Sequence, residues 1–141
     1  MKKTYHGSCH CGAVRFECDI DLADGTSKCN CSVCRKVRFW KAIATGGNFR
    51  LVQGADALSD YTFSDGSKNP SGQPIHHFFC STCGVKTFGR GHMEALGGEF
   101  HAVNVACLDD ATDEELAAAP VEYQDGRADH WERPPVVAGY L

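Results

Sequence analysis

The sequence predicts a mainly β fold with short helical segments, and three observations carry that prediction. Residues 13–18 and 100–108 alternate apolar and polar side chains, the period of a half-buried strand. Gly, Asn and Ser recur at short intervals between such runs, where turns need them. The clearest helix signal is Thr112-Asp113-Glu114-Glu115, a capping box followed by Leu116-Ala117-Ala118-Ala119 and stopped by Pro120.

In chain order, Gly7-Ser8-Cys9-His10-Cys11-Gly12 is a short loop whose glycines permit tight turning. Residues 13–18 follow as a strand with Val14, Phe16 and Cys18 on one face. Residues 19–27 are polar and read as a connection into Cys29-Asn30-Cys31-Ser32-Val33-Cys34. Ser32 there is placed to cap a helical turn through Arg35 and Lys36. Residues 39–45 form a strand, Gly46-Gly47-Asn48 a turn, and residues 49–53 the hairpin partner. Residues 58–63 add a strand, and residues 64–74, rich in Ser, Gly, Asn and Pro, a surface loop. Residues 75–79 run as a strand into Cys80-Ser81-Thr82-Cys83-Gly84, and residues 85–88 leave it as another. Gly89, Gly91, Gly97 and Gly98 bracket a second loop carrying His92. Residues 100–108 place His101, Val103, Val105 and Cys107 on one side of a strand. After the helix come residues 121–123, the turn signal Asp125-Gly126, and a tail with Trp131 and Pro134-Pro135. Residues 1–141 contain no repeat or linker and are expected to form one domain.

Bulk properties narrow the function classes. A net charge of -4 and a pI of about 5.9 give no electrostatic reason to expect nucleic acid. No run of about 20 apolar residues is present, so a membrane span is not expected. No apolar run follows Lys2 and Lys3, so no signal peptide is read, and the expected location is the cytoplasm.

Nine cysteines in such a chain point to metal rather than disulfides, and the odd count with tight C-x-C and C-x2-C spacing strengthens that reading. Seven of the nine fall in three clusters: Cys9/Cys11, Cys29/Cys31/Cys34 and Cys80/Cys83. The simplest division gives Cys9, Cys11, Cys80 and Cys83 to one closed, structural zinc. A rival division pairs Cys31 and Cys34 with Cys80 and Cys83 as a zinc ribbon, and leaves a C-x-C without purpose. In the first division Cys29, Cys31 and Cys34 hold a second zinc with one open position, the arrangement of a reactive metal. The four-cysteine spacings of iron–sulfur proteins are absent. Cys18 and Cys107 stand at inward strand positions and read as small buried hydrophobes. His76 and His77 alternate faces, so only one of them can point toward a metal or substrate. Lys28, Arg35, Lys36, Arg38 and Lys41 surround the three-cysteine segment, as a solvated face or as a docking surface for an anionic substrate.

Taken together, the three cysteine motifs, with Asn104-Val105-Ala106-Cys107-Leu108-Asp109, Asp125-Gly126-Arg127 and Trp131, resemble the glutathione-dependent formaldehyde-activating enzyme family, which is related to centromere protein V. The resemblance implies a β-tent of small antiparallel sheets around zinc. It implies a structural zinc on Cys9, Cys11, Cys80 and Cys83, and a second on Cys29, Cys31 and Cys34 as the catalytic group. The implied reaction joins formaldehyde to glutathione as a carbon–sulfur lyase, with a small thiol as partner. The alternative is a non-enzymatic, zinc-stabilised adaptor for a protein partner.

Overall fold

The computed structural model describes residues 1–63 and 73–141, so most of the loop expected at residues 64–74 lies outside the described residues. The described residues are mainly β, with 43% strand and 20% helix. A three-stranded sheet orders β1 (Lys3–Ser8), β2 (Arg15–Ile20) and β5 (Phe49–Gln53). A seven-stranded sheet contains β3 (Thr26–Cys29), β4 (Lys41–Thr45), β6 (Leu58–Tyr61), β7 (His76–Cys80), β8 (Lys86–Met93), β9 (Gly98–Asn104) and β10 (Val121–Gln124), in the order β10-β3-β4-β9-β8-β7-β6. Its pairings are antiparallel except β10 with β3, which run parallel. The α-helices among the described residues are α1 (Ser32–Val37) and α2 (Asp113–Ala118), and short 3-10 turns link several strands.

The main core lies between the two sheets. From the small sheet come Tyr5, Phe16, Cys18 and Ile20; from the large one come Ala42, Ala44 and Val103. Phe16 stacks on Phe49 with ring centroids 5.6 Å apart, and Phe49 meets Phe88 of the large sheet at 4.5 Å. Such offset pairs contribute beyond the area they bury. The opposite face of the large sheet is also covered: Phe100 and Ala102 pack with Phe39, Cys29 and Cys34. A third cluster joins Cys9, Val14 and Cys80.

Several expectations shift. The segment at 49–53 is a strand, but it pairs with β2 (Glu17 opposite Arg50) rather than with β4. The Gly46–Asn48 turn therefore carries the chain from one sheet to the other, and the Asn48 carbonyl accepts from Asp19 N–H. Residues 19–27 are not all connection, because β2 runs to Ile20 and Thr26 begins β3. Thr26 is buried and its hydroxyl is used twice, donating to the Pro120 carbonyl and accepting from Trp40 Nε1. Gly89 and Gly91 lie inside β8 instead of bracketing a loop. A Cβ on Gly91 would stand 2.5 Å from Ile75 Cδ1 and 2.8 Å from the Phe100 ring, so this glycine serves close packing. The strand expected at 100–108 stops at Asn104, whose side chain accepts from Ala106 N–H and starts a 3-10 turn. β1 had no sequence expectation at all.

Helix α2 does form on the predicted box. The Thr112 hydroxyl accepts from Glu115 N–H at 3.1 Å, and the Glu115 carboxylate accepts from Thr112 N–H at 2.8 Å. Thr112→Ala is expected to lower unfolding free energy by about 1 kcal/mol in urea titration. A midpoint unchanged from wild type would show that the box carries no stability.

Candidate metal centres and the adjoining cavity

Two cysteine knuckles with matching backbones build the first centre. In each, the first cysteine N–H bonds a carbonyl five residues on: Cys9 to Val14 at 3.1 Å, and Cys80 to Val85 at 3.0 Å. In each, a glycine N–H returns to that cysteine's carbonyl, Gly12 to Cys9 and Gly84 to Cys80. Gly12 and Gly84 have φ of 79° and 78°, the left-handed region glycine enters without strain. Backbone N–H groups point at sulfur, Val14 N–H at Cys9 Sγ (3.3 Å) and Thr82 N–H at Cys80 Sγ (3.4 Å). The Cys83 thiol is pushed down to about 6, chiefly by the backbone N–H of Cys11. Because the first knuckle joins β1 to β2 and the second joins β7 to β8, the four sulfurs clasp the two sheets together.

The second centre is built by the end of β3 and the start of α1. Cys29 closes the strand, Cys31 caps the helix, and Cys34 lies in its first turn. The cap is Cys31 rather than the expected Ser32: its sulfur accepts from Cys34 N–H at 3.4 Å. The Cys29 thiol donates to Cys31 Sγ at 3.4 Å. That bond and a second from Cys34 hold the Cys31 thiol far below its ordinary range, while Cys29 is pushed up chiefly by its bond to Cys31, and Cys34 by its bonds to Cys29 first and then Cys31.

Sulfurs bound to one tetrahedral zinc at about 2.3 Å stand roughly 3.8 Å apart. Observed separations are 3.6 Å for Cys9–Cys11, 3.6 Å for Cys11–Cys80 and 3.4 Å for Cys29–Cys31, and within each group all sulfurs lie inside 4.8 Å. Both groups therefore fit a metal ion. Among the described residues no histidine or carboxylate joins either group, and Cys31 and Cys34 do not join Cys80 and Cys83. Cys18 and Cys107 stand apart, buried, with thiols pushed up to about 12 chiefly by burial.

Asn30, between two of the ligating-type cysteines, is almost fully buried. Its Nδ2 donates to Asp125 Oδ1 and its Oδ1 accepts from Arg127 N–H, both at 2.9 Å. The turn over Gly126–Ala128 is thereby drawn onto Cys31, where a Cβ on Gly126 would meet Cys31 Cβ at 3.2 Å and the Trp131 ring at 2.6 Å.

The helix that Cys31 caps also walls a cavity of about 430 Å³, lined by Ser32, Val33, Lys36 and Val37 of α1, by Tyr61, Phe63, His77 and Phe79, and by Gly84 and Lys86; none of the three cysteines is among the lining residues. Its titratable lining residues are Lys36, Tyr61, His77 and Lys86. Lys86 Nζ donates to His77 Nδ1 at 2.8 Å, which leaves the neutral ring's proton on Nε2. Burial, then Lys86, pushes His77 down to about 4, so it is neutral near pH 7. His76, on the other face, pairs with Asp60 at 2.6 Å.

Much of the predicted basic run is engaged elsewhere. Lys28 stands over the Trp40 ring, Arg35 stands over Tyr140, and Arg38 donates to the Tyr140 carbonyl. Lys36 lines the cavity and Lys41 is drawn inward. Sequence reasoning missed Lys86, and no spacing rule marks it, because its aim depends on a strand irregularity described below.

The fold and these two groups define a cysteine-rich β protein with two sites that could hold metal ions. The family model described as glutathione-dependent formaldehyde-activating enzyme matches residues 4–124, and the chain belongs to that family. A Halomonas elongata protein bearing that family's name is 35% identical over 88 residues, covering 55% of this chain and 50% of its own. The chain thus spans about half the length of that curated relative. A crystal structure of a Rhodobacter sphaeroides protein is similar at a TM-score of 0.63 and 33% identity, covering 82% of this chain and 98% of that one. The described residues include no helix long and apolar enough to cross a membrane.

Proposed function

We propose that residues 1–141 act as one zinc domain that forms or breaks the carbon–sulfur bond of a thiol adduct such as S-(hydroxymethyl)glutathione. Cys9, Cys11, Cys80 and Cys83 would hold a structural zinc; Cys29, Cys31 and Cys34 would hold a second. The observation that carries this reading is a three-thiol group with no fourth protein ligand among the described residues, set at the start of the helix that walls a cavity. Three thiolates leave a divalent ion with one net negative charge, a poor setting for making hydroxide but one that still accepts sulfur. A zinc ion held there supplies a deprotonated, positioned thiol at neutral pH.

The remaining work falls to the chain. The cavity seats the thiol's body against Val33, Val37 and Phe79. Sulfur attacks the carbonyl carbon of formaldehyde, the C–S bond forms, and the C=O π pair moves onto oxygen. That oxygen takes one proton, completing R–S–CH2OH, and the reverse sequence releases formaldehyde. Of the four titratable residues on the cavity wall, Lys86 and the Nε2–H of His77, which are hydrogen-bonded to one another, are the pair assigned to carry that proton. All nine cysteines are unpaired, which suits a reducing cytoplasmic setting.

Metal analysis should return two zinc ions per chain. Calorimetric titration with glutathione should give saturable binding to wild type and at least about tenfold weaker binding to Cys31→Ala. Equal binding by both proteins would overturn the reading. Unfolding of Cys31→Ala would instead make both centres structural and favour the adaptor.

A further inference from the structure

Two lysines, Lys41 and Lys86, lie near the three-thiol group, and among the described residues no carboxylate pairs with either of them. Lys41 opens β4, opposite Ser27 of β3 and Asn104 of β9. Its Nζ is buried and has no hydrogen-bond partner among the described residues. Lys86 opens β8, where the pairing with β7 slips: Phe88 stands opposite Phe78, but Lys86 stands opposite Phe79. The slip leaves Thr87 as an extra residue and turns Lys86 onto the face that carries His77 and Phe79. There its Nζ meets His77 and stands 4.0 Å from the centroid of the Phe39 ring, which itself packs on Cys29 and Cys34. Asn104, opposite Lys41, donates from Nδ2 to the Lys86 carbonyl at 2.8 Å, so β9 ties together the two strands on either side of it that carry the lysines.

Buried ammonium groups call for an anion. Here the anions at hand are the thiolates. Ser27 and Cys29 share one face of β3, so Lys41, opposite Ser27, lies on the face that carries Cys29, and only the Phe39 ring, which packs with Cys29 and Cys34, stands between those thiols and Lys86. A divalent ion with three thiolates carries one negative charge, and with four thiolates it carries two. Two ammoniums balance the second state and overshoot the first.

We propose that Lys41 and Lys86 are counter-charges for the filled centre and select an anionic sulfur ligand over a neutral nitrogen ligand at its fourth position. The inference rests on the proposed metal at Cys29, Cys31 and Cys34, and assigns both lysines a positioning and specificity role.

The test uses the full chain loaded with cobalt(II), whose sulfur-to-metal absorption reports thiolate ligation. The four-thiol centre contributes a constant background. Wild type, Lys41→Met, Lys86→Met and Lys86→Arg are each titrated with 2-mercaptoethanol and, separately, with imidazole. The ratio of thiol to imidazole affinity should fall about tenfold or more in each Met variant and stay near wild type in Lys86→Arg. Lys41→Gln or Lys86→Gln is read in the same way where a Met variant does not fold. An unchanged ratio in the folded, uncharged variants overturns the lysine assignment alone. A wild-type spectrum unmoved by 2-mercaptoethanol overturns the open centre, and this inference with it, so the two failures are distinguishable.

Discussion

Cys80→Ser is expected to leave a chain that no longer melts as a cooperative unit. Cys80 is fully buried, ends β7, and sits in the cluster that joins Cys9 and Val14 of the first knuckle to Leu58 of β6 and Val85 of the second knuckle. A hydroxyl is a far poorer zinc ligand than a thiolate, so the substitution opens the clasp at its most enclosed corner. On the proposed reading the metal's binding free energy is folding free energy, on the order of 10 kcal/mol for a structural zinc. That is comparable with the entire stability of an ordinary domain, about 5–15 kcal/mol, so its loss is not absorbed elsewhere. Thermal melts followed by circular dichroism, with and without a chelator, provide the measurement. Chelator should bring wild type close to the Cys80→Ser trace. A Cys80→Ser protein melting within a few degrees of wild type would end the structural assignment of this centre.

The contrast with Cys31→Ala, expected to stay folded, follows from position. Cys31 is only half-buried and caps a six-residue helix at the margin of the sheet, whereas the four-thiol group bridges both sheets.

What the sequence made legible is largely what local chemistry decides. Phe16 and Cys18 alternate inward as read, since period-two burial is set within one strand, although that strand runs Arg15–Ile20 and leaves Val14, also buried, in the first knuckle. The box at Thr112 closed as read because its partners lie three residues apart. The cysteine motifs were visible for the same reason: each knuckle is a self-contained hydrogen-bonded turn. Long-range pairing left no such trace. The strand over 49–53 has ordinary hairpin grammar behind Gly46–Asn48, and only packing of Phe49 between Phe16 and Phe88 sends it to the other sheet. Gly89 and Gly91 carry the same letters as turn glycines, but their role is to let His76 and Phe100 approach. β1 was overlooked because only Tyr5 and Gly7 of its six residues face inward. Lys86 is the clearest case: without the register slip beside it, alternation would turn it to the Phe88 side.

Asn30→Asp, a change of one atom, is expected to cost about 3–5 kcal/mol at neutral pH, because it sets an unpaired charge in a buried place. The Asn30 amide works at both ends: its oxygen takes the Arg127 N–H, and its nitrogen gives to the Asp125 carboxylate. An aspartate keeps the first contact and turns the second into two carboxylate oxygens facing each other at hydrogen-bond distance. Repulsion and burial both disfavour the charged form of the introduced carboxyl, so its folded pKa rises above the unfolded value near 3.9. The sign follows: the folded variant binds more protons than the unfolded one between those two values, so its deficit relative to wild type grows as pH rises and shrinks as pH falls. Asn30→Ala separates the charge from the clamp. It strands the Arg127 N–H and the Asp125 carboxylate, at an expected cost of about 2 kcal/mol with no comparable pH dependence. Urea unfolding of the three proteins at several pH values between 5 and 8 gives both differences. Both variants should also bind glutathione more weakly, since Cys29 and Cys31 flank Asn30 and the turn it holds packs on Cys31. Asn30→Asp matching Asn30→Ala at every pH would show that the Asp125 contact is solvated and that the clamp does not position the three thiols.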